Sequence, residues 1–384
     1  MGNLICRDCN KEFSLNEKIW RCGCGGLLDI EFESSFPLDK IKKRPLNIWR
    51  YREAIPIQYN ENIVSFNEGF TPIVPIEFNH KKVLIKLDYL FPTGSFKDRG
   101  ASVLISKVKE LGIKKVVEDS SGNAGCAISA YSAKGGIECE VFCPFNAPSG
   151  KLAQIQTYGA KLQKIHGTRE DTAFSAIKRA KNIYYASHYW NPYFIQGTKT
   201  FAFEVVEQLG WRSPDAVIIP VGSGSLLLGM YLGFKELLTS GVVEKIPKLI
   251  GVQAENCAPL VKAWELGLNE IPKIDKRETI AEGISISEPV RGGQIIEAVK
   301  ASGGEFISVS ESEIKEGLGW ICKRGFYIEV TSSVVVPGIK KYLKKADSNE
   351  IVVSTFTGHG LKTSGKILEI LNKENSFHPT LKLL

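Results

Sequence analysis

Short apolar runs alternate with longer amphipathic stretches along most of the chain after residue 82. Compact apolar runs are typical of buried strands, and apolar positions at helical spacing predict helices. The predicted strands are 83–87, 115–117, 139–143, 216–220, 248–253 and 351–355, and the predicted helices are 99–111, 124–133, 151–158 and 362–371. Uniformly apolar strands that alternate with helices indicate parallel sheets covered on both faces. The pattern therefore predicts an α/β protein with two open, mainly parallel domains and a site at the carboxyl ends of the strands.

Composition narrows the class of protein only a little. The chain has 384 residues, 43% hydrophobic and 24% charged, and a net charge of +7. These values are typical of a globular protein with two or three domains. Basic and acidic residues alternate, so we expect no nucleic-acid partner. No apolar run approaches the ~20 residues that cross a bilayer, and no signal sequence is evident, so we expect a cytoplasmic protein without membrane contact.

Four cysteines near the N-terminus have the spacing of a metal site. Cys6 and Cys9 form a Cys-x-x-Cys pair, and Cys22 and Cys24 follow after twelve intervening residues. Paired thiolates on tight turns can converge tetrahedrally on Zn²⁺ and stabilise a short segment. One residue rather than two separates the second pair, so a loop without metal remains an alternative. The spacing predicts a structural zinc site apart from the reaction centre.

The segment PTGSFKDRG, residues 92–100, places Lys97 between a turn signal and the start of a predicted helix. A desolvated lysine amine loses its proton more easily and can then form a Schiff base with an aldehyde. An ordinary surface loop is the alternative for a shorter match.

A second polar loop, DSSGNAG at residues 119–125, lies between a predicted strand and a helix rich in small residues. Its hydroxyls and the first N–H groups of the helix are suited to a carboxylate. Asn123 can also donate to a phenolate-like oxygen. A plain helix cap is the alternative.

A glycine-rich loop, VGSGS at residues 221–225, follows the predicted strand 216–220. Glycines at this place allow backbone N–H groups to close on a phosphate at the start of the next helix. A dinucleotide site is the structural rival, but such a fingerprint belongs in the first strand–helix unit. We therefore expect the phosphate of a smaller cofactor here.

A last loop, TFTGHGLK at residues 355–362, follows the final predicted strand. The neutral hydroxyl of Thr357 could face a pyridine nitrogen and leave it unprotonated. His359 lies between two glycines, and we expect it to orient or pack rather than to catalyse.

These loops, in this order, resemble those of threonine synthase, a member of the fold-type II enzymes that use pyridoxal 5′-phosphate (PLP). The resemblance extends from the cysteine segment to the last helix. It implies conversion of O-phospho-L-homoserine and water to L-threonine and phosphate, with Lys97 as the Schiff-base lysine and the base at Cα. The other cofactor-binding residues that it implies are Phe96, Asn123, Val221, Gly222, Ser223, Gly224, Ser225 and Thr357. The substrate-binding residues that it implies are Ser120, Ser121, Gly122, Ala124 and Lys151.

One departure from that family concerns the expected grip on the substrate phosphate. The family commonly has an arginine after Asn-Pro-Tyr that grips the substrate phosphate, and this chain has Phe194. A phenylalanine cannot donate to phosphate. Lys151 or Arg291 could supply another cation, unless both are solvated surface charges. A serine/threonine ammonia-lyase, an O-phosphoserine-using synthase and a PLP- or metal-binding protein without turnover remain alternatives.

The resemblance also suggests a division of the chain and an assembly. We expect a zinc-ribbon-like segment at 1–35, a large PLP-binding domain at 36–98 and 190–384, and a smaller domain at 99–189 that carries the substrate loop. A homodimer is expected as well.

Overall fold

The computed structural model describes residues 2–147 and 149–372, except for the side chain of Ser149. Its strands are β1 Gly2–Cys6, β2 Glu12–Ser14, β3 Leu28–Phe32, β4 Ile73–Phe78, β5 Lys81–Lys86, β6 Lys115–Glu118, β7 Glu138–Pro144, β8 Lys161–Ile165, β9 Tyr184–Tyr185, β10 Ala216–Pro220, β11 Lys248–Ala254, β12 Glu305–Val309 and β13 Val352–Thr355. Its α-helices are α1 Leu38–Ile41, α2 Lys97–Glu110, α3 Asn123–Gly135, α4 Ser149–Thr157, α5 Arg169–Arg179, α6 Pro192–Thr198, α7 Thr200–Gln208, α8 Ser225–Thr239, α9 Pro259–Glu265, α10 Gly292–Ala301, α11 Glu311–Cys322, α12 Val330–Ser333, α13 Val335–Leu343 and α14 Ser364–Asn372. None of these described helices is long and apolar enough to span a membrane.

The chain divides into two compact units. Unit 1 comprises the described residues within 1–70, 91–213 and 224–246, and unit 2 comprises those within 71–90, 214–223 and 247–384. The bounds of these two units are not the domain boundaries expected from the sequence. Those expected boundaries stay a prediction. Residues 373–384 of the expected large domain lie outside the described residues.

Unit 1 contains two sheets. A parallel sheet has the strand order β8-β7-β6-β9, and an antiparallel sheet has the order β2-β1-β3. One hydrophobic core joins both, because Leu4 and Leu28 of the small sheet belong to the same buried cluster as Val116 and Val141 of the parallel sheet. The cysteine segment is therefore a packed part of unit 1.

Unit 2 is built on one six-stranded sheet with the order β12-β11-β10-β13-β5-β4. All pairs are parallel except β4–β5, which form an antiparallel hairpin at the edge. The central strand β10 is completely buried, as its run Ala-Val-Ile-Ile-Pro predicts. The expected mainly parallel α/β architecture is confirmed.

Two glycines let helices α2 and α6 approach closely within unit 1. A Cβ on Gly197 would lie 2.1 Å from the carbonyl oxygen of Arg99, and one on Gly100 would lie 2.4 Å from the ring of Phe194. Neither clash can be relieved by a flexible side-chain end. The contact fixes the first turn of α2, where Lys97 lies.

Gly197→Ala is expected to lower the free energy of unfolding by about 1–3 kcal/mol, because the added methyl group overpacks this crossing. Urea unfolding measures the change. Gly365→Ala is the matched control, since a Cβ there meets nothing within 4 Å and alanine favours a helix. Equal unfolding midpoints for Gly197→Ala and the wild type would contradict the close approach.

Candidate active site

Lys97 is the first residue of α2 and has a half-buried side chain. Its Nζ lies 3.4 Å from Ser225 Oγ, 4.7 Å from the centre of the Phe96 ring and 5.7 Å from that of Phe194. Burial lowers the pKa of the Lys97 amine from 10.5 to about 8, although the nearby Glu118 carboxylate opposes this shift. A large fraction of the amine is thus neutral near pH 8, as a nucleophile or base requires.

The residues around Lys97 in the PTGSFKDRG segment hold the loop in one conformation. Buried Asp98 accepts hydrogen bonds from the backbone N–H of Thr93 at 2.9 Å and from its hydroxyl. Gly94 has a φ of 78°, which favours glycine at this turn. The acidic residue and the glycine of the motif are thereby explained as supports for Lys97.

Arg99 anchors the same loop from the other side of Lys97. Its guanidinium donates to both carboxylate oxygens of Glu204, at 2.7 and 2.8 Å, and to Thr200 Oγ1 at 3.0 Å. The side chains of Arg99 and Glu204 are both fully buried. Such a bidentate pair fixes the direction of the helix that begins at Lys97.

The DSSGNAG loop connects β6 to α3, as the sequence predicts. The structure assigns no side-chain cap to α3, whose N-cap residue is Gly122. Ser120 Oγ instead accepts from the Gly122 N–H at 3.2 Å. The cap alternative is therefore not what the structure shows, and the uncapped first turn is suited to an anion. Gly125 is required here, since a Cβ would lie 1.9 Å from the Ser120 carbonyl oxygen.

The glycine-rich loop begins in unit 2 and ends in unit 1. In unit 2, a Cβ on Gly222 would lie 2.8 Å from Ile284 Cα, so the backbone is close-packed there. In unit 1, Gly224 has a φ of 78° and precedes α8, whose first N–H groups have no side-chain cap. The contact between Lys97 and Ser225 places the amine beside this helix N-terminus.

Thr357 lies in unit 2, two residues after the end of β13, and is buried. Its hydroxyl is 3.0 Å from Ser332 Oγ, and Ser332 Oγ also accepts from the backbone N–H groups of Thr357 and Gly358 at 3.0 Å. Ser332 was missed by the sequence reasoning, because a serine in a short polar helix carries no distinguishing signal. His359 caps the following turn through Nδ1, which accepts from the Leu361 N–H at 3.2 Å, and this agrees with the expected orienting role.

Lys151 and Arg291, considered as substitutes for the missing arginine, differ in burial. Lys151 is a half-buried residue of α4, a helix that packs on α3 in unit 1. Arg291 is 1% exposed and donates to Gln294 at 2.7 Å in unit 2, so the interpretation as a solvated surface charge is wrong for this residue. Phe194 itself is fully buried.

The four N-terminal cysteines converge, as their spacing predicts. Their sulfur atoms lie within 4.8 Å of one another, with 3.5 Å between Cys6 and Cys24 and 3.6 Å between Cys9 and Cys22. A tetrahedral site with metal–sulfur bonds of about 2.3 Å has sulfur–sulfur separations of about 3.8 Å. A Cβ on Gly26 would lie 2.8 Å from Cys6 Sγ, so the glycine keeps the turn close to the thiols. The cluster could hold a metal ion.

Comparison with known proteins shows the family to which this chain belongs. The model of the family described as pyridoxal-phosphate dependent enzyme matches residues 64–358. The threonine synthase of Methanocaldococcus jannaschii is 36% identical over 93% of this chain and 92% of its own length. That of Methanosarcina acetivorans is 33% identical over 96% and 94%. The structure of maize serine racemase has a TM-score of 0.70 over 86% of this chain and 98% of its own, at 20% identity, which shows a shared fold. This chain belongs to the pyridoxal-phosphate dependent enzymes and, within them, to the threonine synthase family.

Proposed function

We propose that this protein converts O-phospho-L-homoserine and water to L-threonine and phosphate, with PLP as its cofactor. The observation that carries the proposal is the Lys97 amine, whose pKa burial lowers to about 8 and whose position is fixed by Asp98 and Arg99. Family membership supports the same reaction. The roles of individual residues below are part of the proposal.

The residues of unit 1 fit the cofactor. Lys97 would hold its aldehyde carbon, Asn123 would donate to its ring oxygen, and the uncapped N-terminus of α8 with Gly224 and Ser225 would bind its phosphate. The ring of Phe96, 4.7 Å from Nζ, lines the same place. When bound, the cofactor supplies an electron-withdrawing ring that stabilises negative charge at the substrate Cα.

The sequence resemblance assigns cofactor contacts to four residues of unit 2 as well. Val221, Gly222 and Ser223 would extend the phosphate loop. The Thr357 hydroxyl would face the pyridine nitrogen, held by Ser332 at 3.0 Å. A neutral hydroxyl leaves that nitrogen largely unprotonated, which favours elimination and replacement over transamination.

The substrate amino acid would bind at the start of α3. Ser120, Ser121, Gly122 and Ala124 offer hydroxyl and backbone donors for its carboxylate, and no side chain caps that helix. The neutral Lys97 amine then removes the proton from Cα and later returns it. Lys151 is the candidate cation for the distal phosphate.

The test of this function is release of inorganic phosphate and formation of threonine from O-phospho-L-homoserine by the protein loaded with PLP. We expect both products in equal amounts. L-serine, L-threonine and O-phospho-L-serine are the comparison substrates, because Phe194 stands where the family commonly has an arginine. Faster turnover of any of these three, without phosphate release from O-phospho-L-homoserine, would contradict the proposal and favour the ammonia-lyase or the O-phosphoserine-using synthase.

We further propose that the cysteine cluster holds one structural Zn²⁺. Four converging thiols leave no open coordination position, so the ion would stabilise unit 1 rather than take part in the reaction. Trp20, between the two cysteine pairs, lies edge-on to Tyr185 at 4.9 Å and to Trp190 at 5.7 Å. Loss of the ion should therefore change the packing of Trp20 in the core of unit 1.

Cys9→Ser is expected to abolish zinc binding, to lower the unfolding temperature and to change the fluorescence of Trp20 and Trp190. Metal analysis should find one zinc per chain in the wild type. Cys322→Ser is the matched control, because this cysteine belongs to unit 2 and is not one of the four converging cysteines. Equal zinc content in Cys9→Ser and the wild type would show that the cluster is not the metal site.

The homodimer and the cytoplasmic location also stay predictions. Sedimentation tests the homodimer.

A further inference from the structure

Unit 1 holds a buried cluster of ionisable side chains that none of the roles above uses. Glu118 is the last residue of β6, and its Oε1 forms a hydrogen bond of 2.7 Å with His188 Nδ1. The adjacent Asp119 accepts at Oδ2 from Arg169 at 2.7 Å and from the Tyr189 hydroxyl at 2.6 Å. Glu118 and Asp119 are completely buried, and His188 is 9% exposed.

This cluster adjoins the proposed reaction centre. Asp119 directly precedes Ser120 of the proposed substrate loop. The Phe194 ring is shared, since its centre lies 6.0 Å from that of His188 and 5.7 Å from Lys97 Nζ. Charge interactions link the groups as well, because Glu118 raises the pKa of Lys97 and Lys97 lowers that of His188. His188 and the Lys97 amine therefore lie beside the same Phe194 ring.

The charges of the cluster require a proton. When the Lys97 amine is neutral, as its proposed role as a base requires, two carboxylates and one guanidinium leave one negative charge uncompensated. Glu118 Oε2 and Asp119 Oδ1 have no hydrogen-bond partner among the described residues. Burial and the neighbouring Asp119 hold the pKa of Glu118 well above its ordinary value. Burial, Lys97 and Arg169 hold the pKa of His188 well below its own. The Glu118–His188 pair thus stores one proton on the carboxyl group, with Nδ1 accepting it and Nε2 carrying the ring hydrogen.

A divalent cation is the other way to compensate these oxygens. One ligand atom from each of Glu118, Asp119 and His188 lies within 4.8 Å of the others. However, Arg169 already bonds to Asp119, and Lys97 interacts with Glu118. The Arg169 guanidinium alone, at this range, disfavours a second cation of double charge. The proton is the better-supported occupant.

We propose that His188, held by Glu118, is a second acid–base residue of the threonine-forming reaction, which rests on the function proposed above. When the Cγ–O bond breaks, its electron pair stays on the phosphate oxygen, and His188 Nε2 gives its proton to that oxygen while Glu118 passes its proton to Nδ1. The pair that Cγ needs comes from a Cβ–H bond, and the Lys97 amine moves that proton from Cβ to Cγ. When the water oxygen bonds to Cβ, the proton of the water goes to Nε2 and Nδ1 returns its proton to Glu118. The water thus replaces the proton that leaves with phosphate, and the pair is restored.

Two readouts separate this role from a structural one. Exchange of the Cα proton of L-threonine for solvent deuterium requires the Lys97 amine, whereas phosphate release from O-phospho-L-homoserine also requires the His188 proton. His188→Asn in the PLP-loaded enzyme is expected to lower phosphate release by roughly 10²-fold and to leave the exchange rate within about twofold. Wild-type phosphate release should decline at high pH, as the pair loses the proton that the raised pKa of Glu118 retains. Glu118→Gln, which keeps the hydrogen bond but cannot transfer the proton, should lack this decline.

His80→Asn is the matched control, because His80 is 98% exposed on a turn with a φ of 66° that asparagine tolerates. It should match the wild type in both readouts. Parallel loss of exchange and phosphate release in a folded His188→Asn enzyme would overturn the proposal. Loss of one bound metal ion per chain in both His188→Asn and Glu118→Gln, compared with the wild type, would overturn it as well. If His188→Asn does not fold, Glu118→Gln decides by the same two readouts. No phosphate release from the wild type would refute the proposed function and this inference with it, whereas an active His188→Asn refutes only the inference.

Discussion

Lys97→Ala is expected to lower the rate of phosphate release from O-phospho-L-homoserine by roughly 10³-fold or more. The alanine can neither hold the cofactor covalently nor move the Cα proton. Treatment with borohydride should attach PLP to the wild type, in the peptide that contains Lys97, and should leave Lys97→Ala unlabelled. Phosphate release and mass spectrometry of the labelled peptide are the measurements.

The stability of this variant is expected to stay close to that of the wild type. The polar contact of Nζ with Ser225 is long, at 3.4 Å, so its loss costs little. Lys114→Ala is the control for the loss of one lysine, because Lys114 is exposed. Turnover of Lys97→Ala within tenfold of this control would contradict the role given to Lys97.

Glu204→Ala is expected to lower the free energy of unfolding by about 3–5 kcal/mol, because it leaves the fully buried Arg99 guanidinium without its carboxylate. Arg99 follows Lys97 by two residues, so a folded Glu204→Ala protein should also bind PLP more weakly. Urea unfolding followed by circular dichroism measures the first effect, and titration with PLP measures the second.

The matched control for this buried pair is Glu305→Ala, which removes an ion pair with Lys345 whose lysine side chain is 56% exposed. Exposed pairs of this kind contribute about 0–1 kcal/mol. A loss of less than about 1 kcal/mol for Glu204→Ala as well would show that Arg99 does not depend on its partner.

The fold was predictable where strands are fully buried. The run at 216–220 is apolar at every position, and the structure contains β10 at those residues. Strands β8 and β4 were missed because half-exposed edge strands mix lysine, glutamate and apolar residues. Helices α6 to α8 were missed because most of their residues are buried, polar and apolar alike, so no broad exposed polar face marks them in the sequence.

The sequence predicts the part of the candidate site that is contiguous in the chain and misses the part that is not. Lys97 and its supports Asp98 and Arg99 are contiguous, so one short motif reveals them. Glu118 and His188 are separated by 70 positions, and each is unremarkable in its local sequence. Only the pairing of β6 with β9 brings the two residues together. Charge clusters of this kind become visible when the strand order is known.

The measurement that tests the central claim most directly is the reaction of O-phospho-L-homoserine in water enriched in ¹⁸O. Elimination of phosphate at Cγ followed by addition of water at Cβ predicts ¹⁸O in the hydroxyl group of threonine and none in the released phosphate. Label in the phosphate, with homoserine as the other product, would show hydrolysis at phosphorus and would contradict the assignment as a threonine-forming PLP enzyme.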